Sequence, residues 1–520
     1  MRLRWLLLTL VLAVHTAAIR AQVIDRPVAD EVWYSIMPIA WRDSNNDEYR
    51  DGDIGGLIDS LPYLQTLGIT GLWLTPVFPS PAYHGYQHAE ADRINPTLGD
   101  TEQFRDFVRL AHARGIKVLI DFVVYGINRE SGIARSALAD PTDPSRGWLS
   151  IDASSGKPVG YSFKTWTGDT VGFVNWDLRQ PGPVDLVRTW SLLWLDPNGD
   201  GDHSDGVDGY RLDHVWHRYD KGPDGLGYHL VEFWEPWGRA VRAARPGAFA
   251  VAEQAQWETT GAALLTPDGF DATFAKPLLF AIREGLTTGN AEPIRRALAI
   301  ALAELPPGKT YLATLGDHDV DRIASVVKGD ARDAELAAAI LLTLPFPPVI
   351  YMGDEIGMLG TKGDFGSDAN DIPRREPFKW NAVAGPPMSD YSRRHAGAYD
   401  ARAARDRDGR SVEEQKGRPD SLLEAHRRLI RLRLAAPALR RGTYTEVPGT
   451  LSGVLCFERS TPEQRLLIAI NLSHESAAAP LPPGVALRDA VTGTAIDLAS
   501  DNPLPIAPRE YRIVELLPLP

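Results

Sequence analysis

The stretch Asp100-Thr-Glu-Gln103-Phe104-Arg-Asp-Phe107-Val108-Arg-Leu-Ala111-His-Ala-Arg-Gly115-Ile-Lys117-Val-Leu-Ile-Asp121-Phe-Val123 reads as one helix followed by one strand. Asp100 stands where a helix needs an N-cap, and Gln103 completes a capping box. Phe104, Phe107, Val108 and Ala111 share one helical face before Gly115 ends the run. A short β-branched and aromatic run, 117–123, follows as a strand. The same alternation recurs from about residue 31 to 440, with strands expected at 32–37, 71–77, 117–123, 206–213, 249–253, 272–275, 310–315 and 349–352. Eight such units predict an α/β fold, a (β/α)8 TIM barrel.

The barrel does not use the whole chain of 520 residues, 44% of them hydrophobic, which is long enough for two or three domains. From 128 to 205 the alternation breaks into a stretch rich in Gly, Ser, Thr, Asp and Trp, too long for a connecting loop, which predicts a small inserted domain after strand 3. After Arg441, short strands at 454–458, 466–471 and 511–516 separated by Pro and Gly turns predict a C-terminal antiparallel β-sandwich domain. The expected division is a leader at 1–21, a barrel at 28–127 and 206–440, an insert at 128–205 and a terminal domain at 441–520.

Composition removes several functions. Fifty-five basic residues against 68 acidic ones give a net charge of −13, which repels a phosphate backbone and excludes nucleic acid as a partner. Met1-Arg-Leu-Arg, an apolar run at 5–14 and small residues up to Ala21 follow the grammar of a secretory leader. That run is short of the roughly 20 residues that span a bilayer, and no later segment is long enough, so the mature chain is expected to be secreted or periplasmic without a membrane span. Cys456 is the only cysteine, which rules out an intramolecular disulfide and argues against thiol chemistry.

In such a barrel the active site lies where the strands end. Asp121, Asp213, Glu253 and Asp319 close strands 3, 4, 5 and 7, so their side chains should converge on one mouth. Glycoside hydrolysis with retention needs two carboxylates roughly 5–5.5 Å apart, which neighbouring strand ends can supply. Arg211, two residues before Asp213 and on the same face of the strand, is placed to hold one carboxylate ionised while burial keeps the other protonated.

Gly209-Tyr-Arg-Leu-Asp213, Ala252-Glu253 and Asp317-His-Asp319 resemble three of the sequence regions of the α-amylase family of retaining glycoside hydrolases. Trp33-Tyr34, His84-Gly-Tyr86, Ile94-Asn-Pro96, Arg322, Tyr351-Met-Gly-Asp-Glu-Ile-Gly357 and Ser421-Leu-Leu423 extend the resemblance over almost the whole mature chain, in the right order. The resemblance implies a hydrolase of α-glucosidic bonds in an α-glucan or malto-oligosaccharide, with Asp213 as nucleophile, Glu253 as acid and then base, and Asp319 gripping ring hydroxyls. It also implies Arg211 and His318 beside those charges and Tyr86 stacked under the sugar. Gln87, where many exo-acting relatives carry Asp, points toward endo action. His214 and Trp216 are unusual after the nucleophile and reshape the acceptor side or simply pack.

The sequence departs from the family pattern at three positions. Tyr125 and Gly126 replace its calcium-binding Asn and substrate-binding His, and Phe173 stands where an Asp is common. His217 therefore lacks two of its usual co-ligands. Structural Ca2+ is expected instead at one or two acidic loops, since alternating oxygen ligands on a Gly-rich loop suit a hard cation. The first is Asp43, Asn45, Asp47 and Tyr49, with either Asp51 or Asp53 completing the shell; the second is Asp196, Asn198, Asp200, Asp202 and Asp205. Two other activities stay open: transglycosylation or isomerisation of a small α-glucoside such as maltose or sucrose, and a non-catalytic sugar-binding or partner module.

Overall fold

The structure is a computed structural model and describes residues 24–47, 49–215, 230–393, 403–498 and 503–518. The leader, Trp216 and His217 lie outside the described residues.

Eight strands close a barrel: β1 (Trp33–Ile36), β2 (Gly71–Leu74), β3 (Lys117–Val123), β4 (Gly209–Asp213), β5 (Phe249–Ala252), β6 (Ala272–Phe274), β7 (Thr310–Thr314) and β8 (Pro348–Tyr351). All pair in parallel, and β8 closes on β1 with Trp33 opposite Val349. Trp33, Trp73, Leu119, Phe249, Val251, Phe274, Leu312 and Val349 fill the interior, so the barrel is a packed core. Gly209 opens β4 at φ +145°, where a Cβ would lie 2.0 Å from the Phe249 carbonyl oxygen, so strand contact here requires glycine.

Two helices fix the early loops. The helix α1 (Ile54–Leu67) is capped by Asp53, whose carboxylate accepts from Gly56 N at 2.6 Å. The next, α2 (Thr101–His112), carries the expected capping box between Asp100 and Gln103. After β8, Glu355 accepts the hydroxyls of Tyr34 and Tyr63, each at 2.7 Å, so this acid of the 351–357 motif ties the barrel wall together.

The insert is smaller than the break in alternation implies. Strands Gly126–Asn128, Gly160–Lys164 and Thr170–Asn175 form its three-stranded antiparallel sheet. The helix Pro181–Leu195, assigned above to the insert, belongs to the outer barrel layer. Its Trp194 packs on Phe78 and Phe104, and Ser191 accepts from Trp237 Nε1 at 2.9 Å. A parallel crossover from β3 to β4 needs a covering helix, and this one supplies it. The terminal domain is a six-stranded antiparallel sheet containing Val454–Ser460, Arg465–Asn471 and Tyr511–Pro518, with a second, two-stranded sheet of Ala477–Ala479 and Leu504–Ile506. Cys456 is buried inside it.

Candidate active site

Strand register brings the acids together. Leu212 lies opposite Ala252, so Asp213, the last residue of β4, and Glu253, the first beyond β5, come next in line on neighbouring strands. One carboxylate oxygen of each and a ring nitrogen of His214 all lie within 4.8 Å of one another. That closeness matches the short separation of retaining enzymes, whereas inverting enzymes hold their acids roughly 6.5–9.5 Å apart. Asp121 sits inside β3 beside Arg211, two residues before the strand end assigned to it above.

Arg211 is the hub of this cluster. Its Nη1 donates to both oxygens of Asp121, at 2.9 and 3.0 Å, and to Asp213 Oδ1 at 2.8 Å. Its Nη2 lies 2.6 Å from Glu253 Oε2. One guanidinium therefore serves three carboxylates, not the single one it was expected to hold ionised. Glu253 Oε1 is buried with no hydrogen-bond partner among the described residues. Burial, with Asp213 adding to it, pushes the Asp121 carboxyl up to about 7 against the pull of Arg211. The same guanidinium lies 5.0 Å from the Trp73 ring centroid.

Asp319 faces this group from the loop after β7, five positions beyond the last strand residue. Burial raises its carboxyl, but the charges of His318, Arg375 and Lys276 outweigh that and hold it well below the usual carboxylate range. Arg375 Nη2 donates to Asp319 Oδ1 at 2.8 Å, and Lys276 pairs with Asp317 at 2.6 Å. Burial pushes the His318 imidazole down against the opposing pull of the Asp319 charge. Nothing in the local sequence pattern announced Arg375, Lys276 or Trp73; an Arg or Lys on a later loop carries no periodic signal.

The remaining expected residues line a cleft of about 390 Å³ that also includes Lys362, Asp368 and Asn370. Tyr86 is there, but its ring stacks on His318 at 5.2 Å and its hydroxyl donates to Asp121 at 2.8 Å, which leaves little of its face for a sugar. Gln87 is buried and donates to the Tyr161 hydroxyl at 3.0 Å, so it faces the insert. His214 is the exposed member, held at φ +38° with Nε2 3.8 Å from Glu253 Oε2.

The family model described as Alpha amylase, catalytic domain, matches residues 35–442. The chain belongs to the α-amylase family. Its chemistry is the hydrolysis of α-glucosidic bonds, and the chain is a glycosidase; transferring and isomerising members also occur among its relatives. It is 26% identical to Alpha-amylase 3 of Dictyoglomus thermophilum, over 85% of each chain. It is 29% identical to a trehalose synthase of Thermus thermophilus, over 93% of this chain and 54% of that one. The fold matches the crystal structure of the α-amylase from H. orenii with a TM-score of 0.77 at 24% identity, covering 94% of this chain and 99% of that one.

Calcium ligation is a common property of this family, and a cation needs several oxygen ligands gathered at one point. Neither acidic loop gathers three carboxylates or imidazoles to one point among the described residues; Asp213, His214 and Glu253 are the group that does. In the first loop Asp43 accepts from Asn45 N and Asn46 N, Asn45 from Asp47 N, and Asp47 from Tyr49 N and Arg50 N. Asp53 is committed to the cap of α1 and to Ser44, while Asp43 and Asp51 are both buried. In the second loop Asp196, Asp200 and Asp202 bond to amides of their own turn, Asn198 donates to Asp200, and Asp205 pairs with Arg105 at 2.8 Å. The donor set of the first loop, buried acids plus amide and backbone oxygens, fits a hard cation; the second, with its last acid neutralised by Arg105, does not.

Proposed function

We propose that this glycosidase cleaves α-1,4 links of starch-like or maltodextrin chains by double displacement, with Asp213 as nucleophile and Glu253 as acid and base. The carrying observation is the pair of carboxylates within 4.8 Å of each other at the mouth of an open cleft, with Asp319 held opposite by Arg375. In the first half-reaction Asp213 attacks the anomeric carbon while Glu253 gives a proton to the departing oxygen. In the second, Glu253 takes a proton from water, the water oxygen bonds to the anomeric carbon, and Asp213 leaves with the electron pair. Asp319 binds ring hydroxyls, and Arg211 steadies the negative charge that faces the oxocarbenium-like transition state. His214, exposed beside Glu253, meets the acceptor.

Products from maltoheptaose test this reading. Maltose, maltotriose and longer fragments should appear together from the first time points, with new reducing ends of α configuration. Glucose as the sole early product would overturn internal cleavage. The likeness to trehalose synthase supports a second reading, isomerisation of a disaccharide. Maltose converted to a non-reducing disaccharide, with no rise in glucose, would establish that reading instead.

Calcium belongs to the same proposal at the first loop only, held by Asp43, Asn45, Asp47 and Asp51 with the Tyr49 carbonyl. It would stabilise the β1–α1 loop and stay outside the chemistry. Exhaustive chelation should lower the melting temperature, and added Ca2+ should restore it in proportion to the logarithm of its concentration. An identical melting curve with and without chelator would remove the metal from the proposal.

A further inference from the structure

Lys276 is a buried cation in a place that costs stability. It opens the helix Lys276–Thr288, where the helix dipole presents its positive end, and it is 1% exposed. Burial pushes its ammonium down, but the charges of Asp317 and Glu253 outweigh that and keep it protonated. Burial likewise raises the Asp317 carboxyl, and the Lys276 charge brings it below its usual value. A buried ion pair of this kind is commonly no better for stability than apolar side chains of the same volume. Stability therefore does not account for the pair.

What the pair touches does. Lys276 Nζ donates to Asp317 Oδ2 at 2.6 Å, and Asp317 Oδ1 accepts from the backbone amide of Asp319 at 2.9 Å. The ammonium thus fixes the carboxylate that fixes the Asp319 backbone. The same Nζ lies 4.4 Å from the centroid of the Trp257 ring, four residues beyond Glu253. The turn leading to Trp257 is seated on β6, because Gln254 Nε2 donates to the carbonyl oxygens of Phe274 at 2.8 Å and Thr259 at 2.9 Å. One cation therefore braces the loop after β7, which carries Asp319, and the segment after β5, which follows Glu253. Arg375 aims the Asp319 carboxylate from another loop, while Asp317 fixes its backbone from within its own.

We propose that Lys276 is a positioning residue that works through Asp317, holding the Asp319 loop and the Trp257 turn in register so that Asp319 and Glu253 meet the same sugar in the transition state. This rests on the assignment of Asp319 as the residue that grips ring hydroxyls. A displacement of roughly 1 Å at such a group is enough to cost on the order of 10²-fold in rate. Ground-state binding, spread over the rest of the cleft, is less sensitive to it.

Lys276→Met tests this with an aryl α-maltooligoside and with acarbose, whose flattened, charged unit mimics the transition state. The variant's kcat should fall about 10²-fold with KM within about threefold, and the acarbose Ki should rise by a factor close to the loss in kcat/KM. Adding Asp317→Asn should bring both back to within about tenfold of the wild type, because the amide oxygen still accepts from the Asp319 amide and no charge is left buried alone. Lys276→Gln keeps a donor toward Asp317 without the charge. It should show the same paired loss to a smaller degree, and it carries the test if Lys276→Met does not fold. A fall in kcat with the acarbose Ki unchanged would mean fewer folded molecules and would overturn the proposal. Wild-type kinetics in both single variants would overturn it too, as would a double variant no better than Lys276→Met. If Asp319→Asn is inert while the Lys276 variants behave as wild type, this inference alone fails; if Asp319→Asn stays active, the assignment of Asp319 fails with it.

Discussion

Asp213→Asn should lower turnover of an aryl α-maltooligoside by on the order of 10⁴-fold or more, because it removes the atom that bonds to the anomeric carbon. The amide is isosteric and can still accept from Arg211, so folding and sugar binding should persist. Equal rates in wild type and variant would refute the double-displacement reading. Equal silence, with malto-oligosaccharide still bound, would favour the binding-module alternative. External azide should restore part of the activity of a Glu253→Ala partner variant, since a small anion does not need the base that water needs.

The second large effect lies at Arg211. Arg211→Met leaves Asp121, Asp213 and Glu253 buried around a thioether, whereas the wild type gives all three one cation within 3.0 Å. Breaking a buried charge pair by removing one partner costs about 3–5 kcal/mol, so the variant should unfold at lower urea concentration as well as lose activity by roughly 10²–10³-fold. Arg211→Lys should recover only part of either, because a point charge cannot fork to three acids. The cause is separable by a double variant: Asp121→Asn in the Arg211→Met background removes one of the stranded charges and should regain stability without regaining activity. An Arg211→Met protein as stable as wild type would show that charge balance at this centre does not support the fold.

These expectations rest on different kinds of legibility. The barrel could be read from local chemistry: the Asp100 and Gln103 capping box, the 104–111 face and the run at 117–123 are each decided by neighbours a few residues away. All eight expected strands are present, and Asp213 and Glu253 follow because they stand at the ends of adjacent strands. The helix Pro181–Leu195 was obscured because its N-terminal prolines and its tryptophans sit next to the Gly- and Ser-rich insert, and only packing on Phe78, Phe104 and Trp237 shows which layer it joins.

Within the site the division is sharper. The sequence by itself determined the eight strands, the family, the acids and the departures at Tyr125, Gly126 and Phe173, because residue type and spacing carry that information. Tertiary structure alone decided that Arg211 is shared by three acids, that Arg375 holds Asp319 and that Asp53 is a helix cap. The physical reason is range. Periodicity and capping act over a few residues of chain, while a hydrogen bond between Gln87 and Tyr161, or a clash that forbids a side chain at Gly126, exists only after barrel and insert have closed on each other.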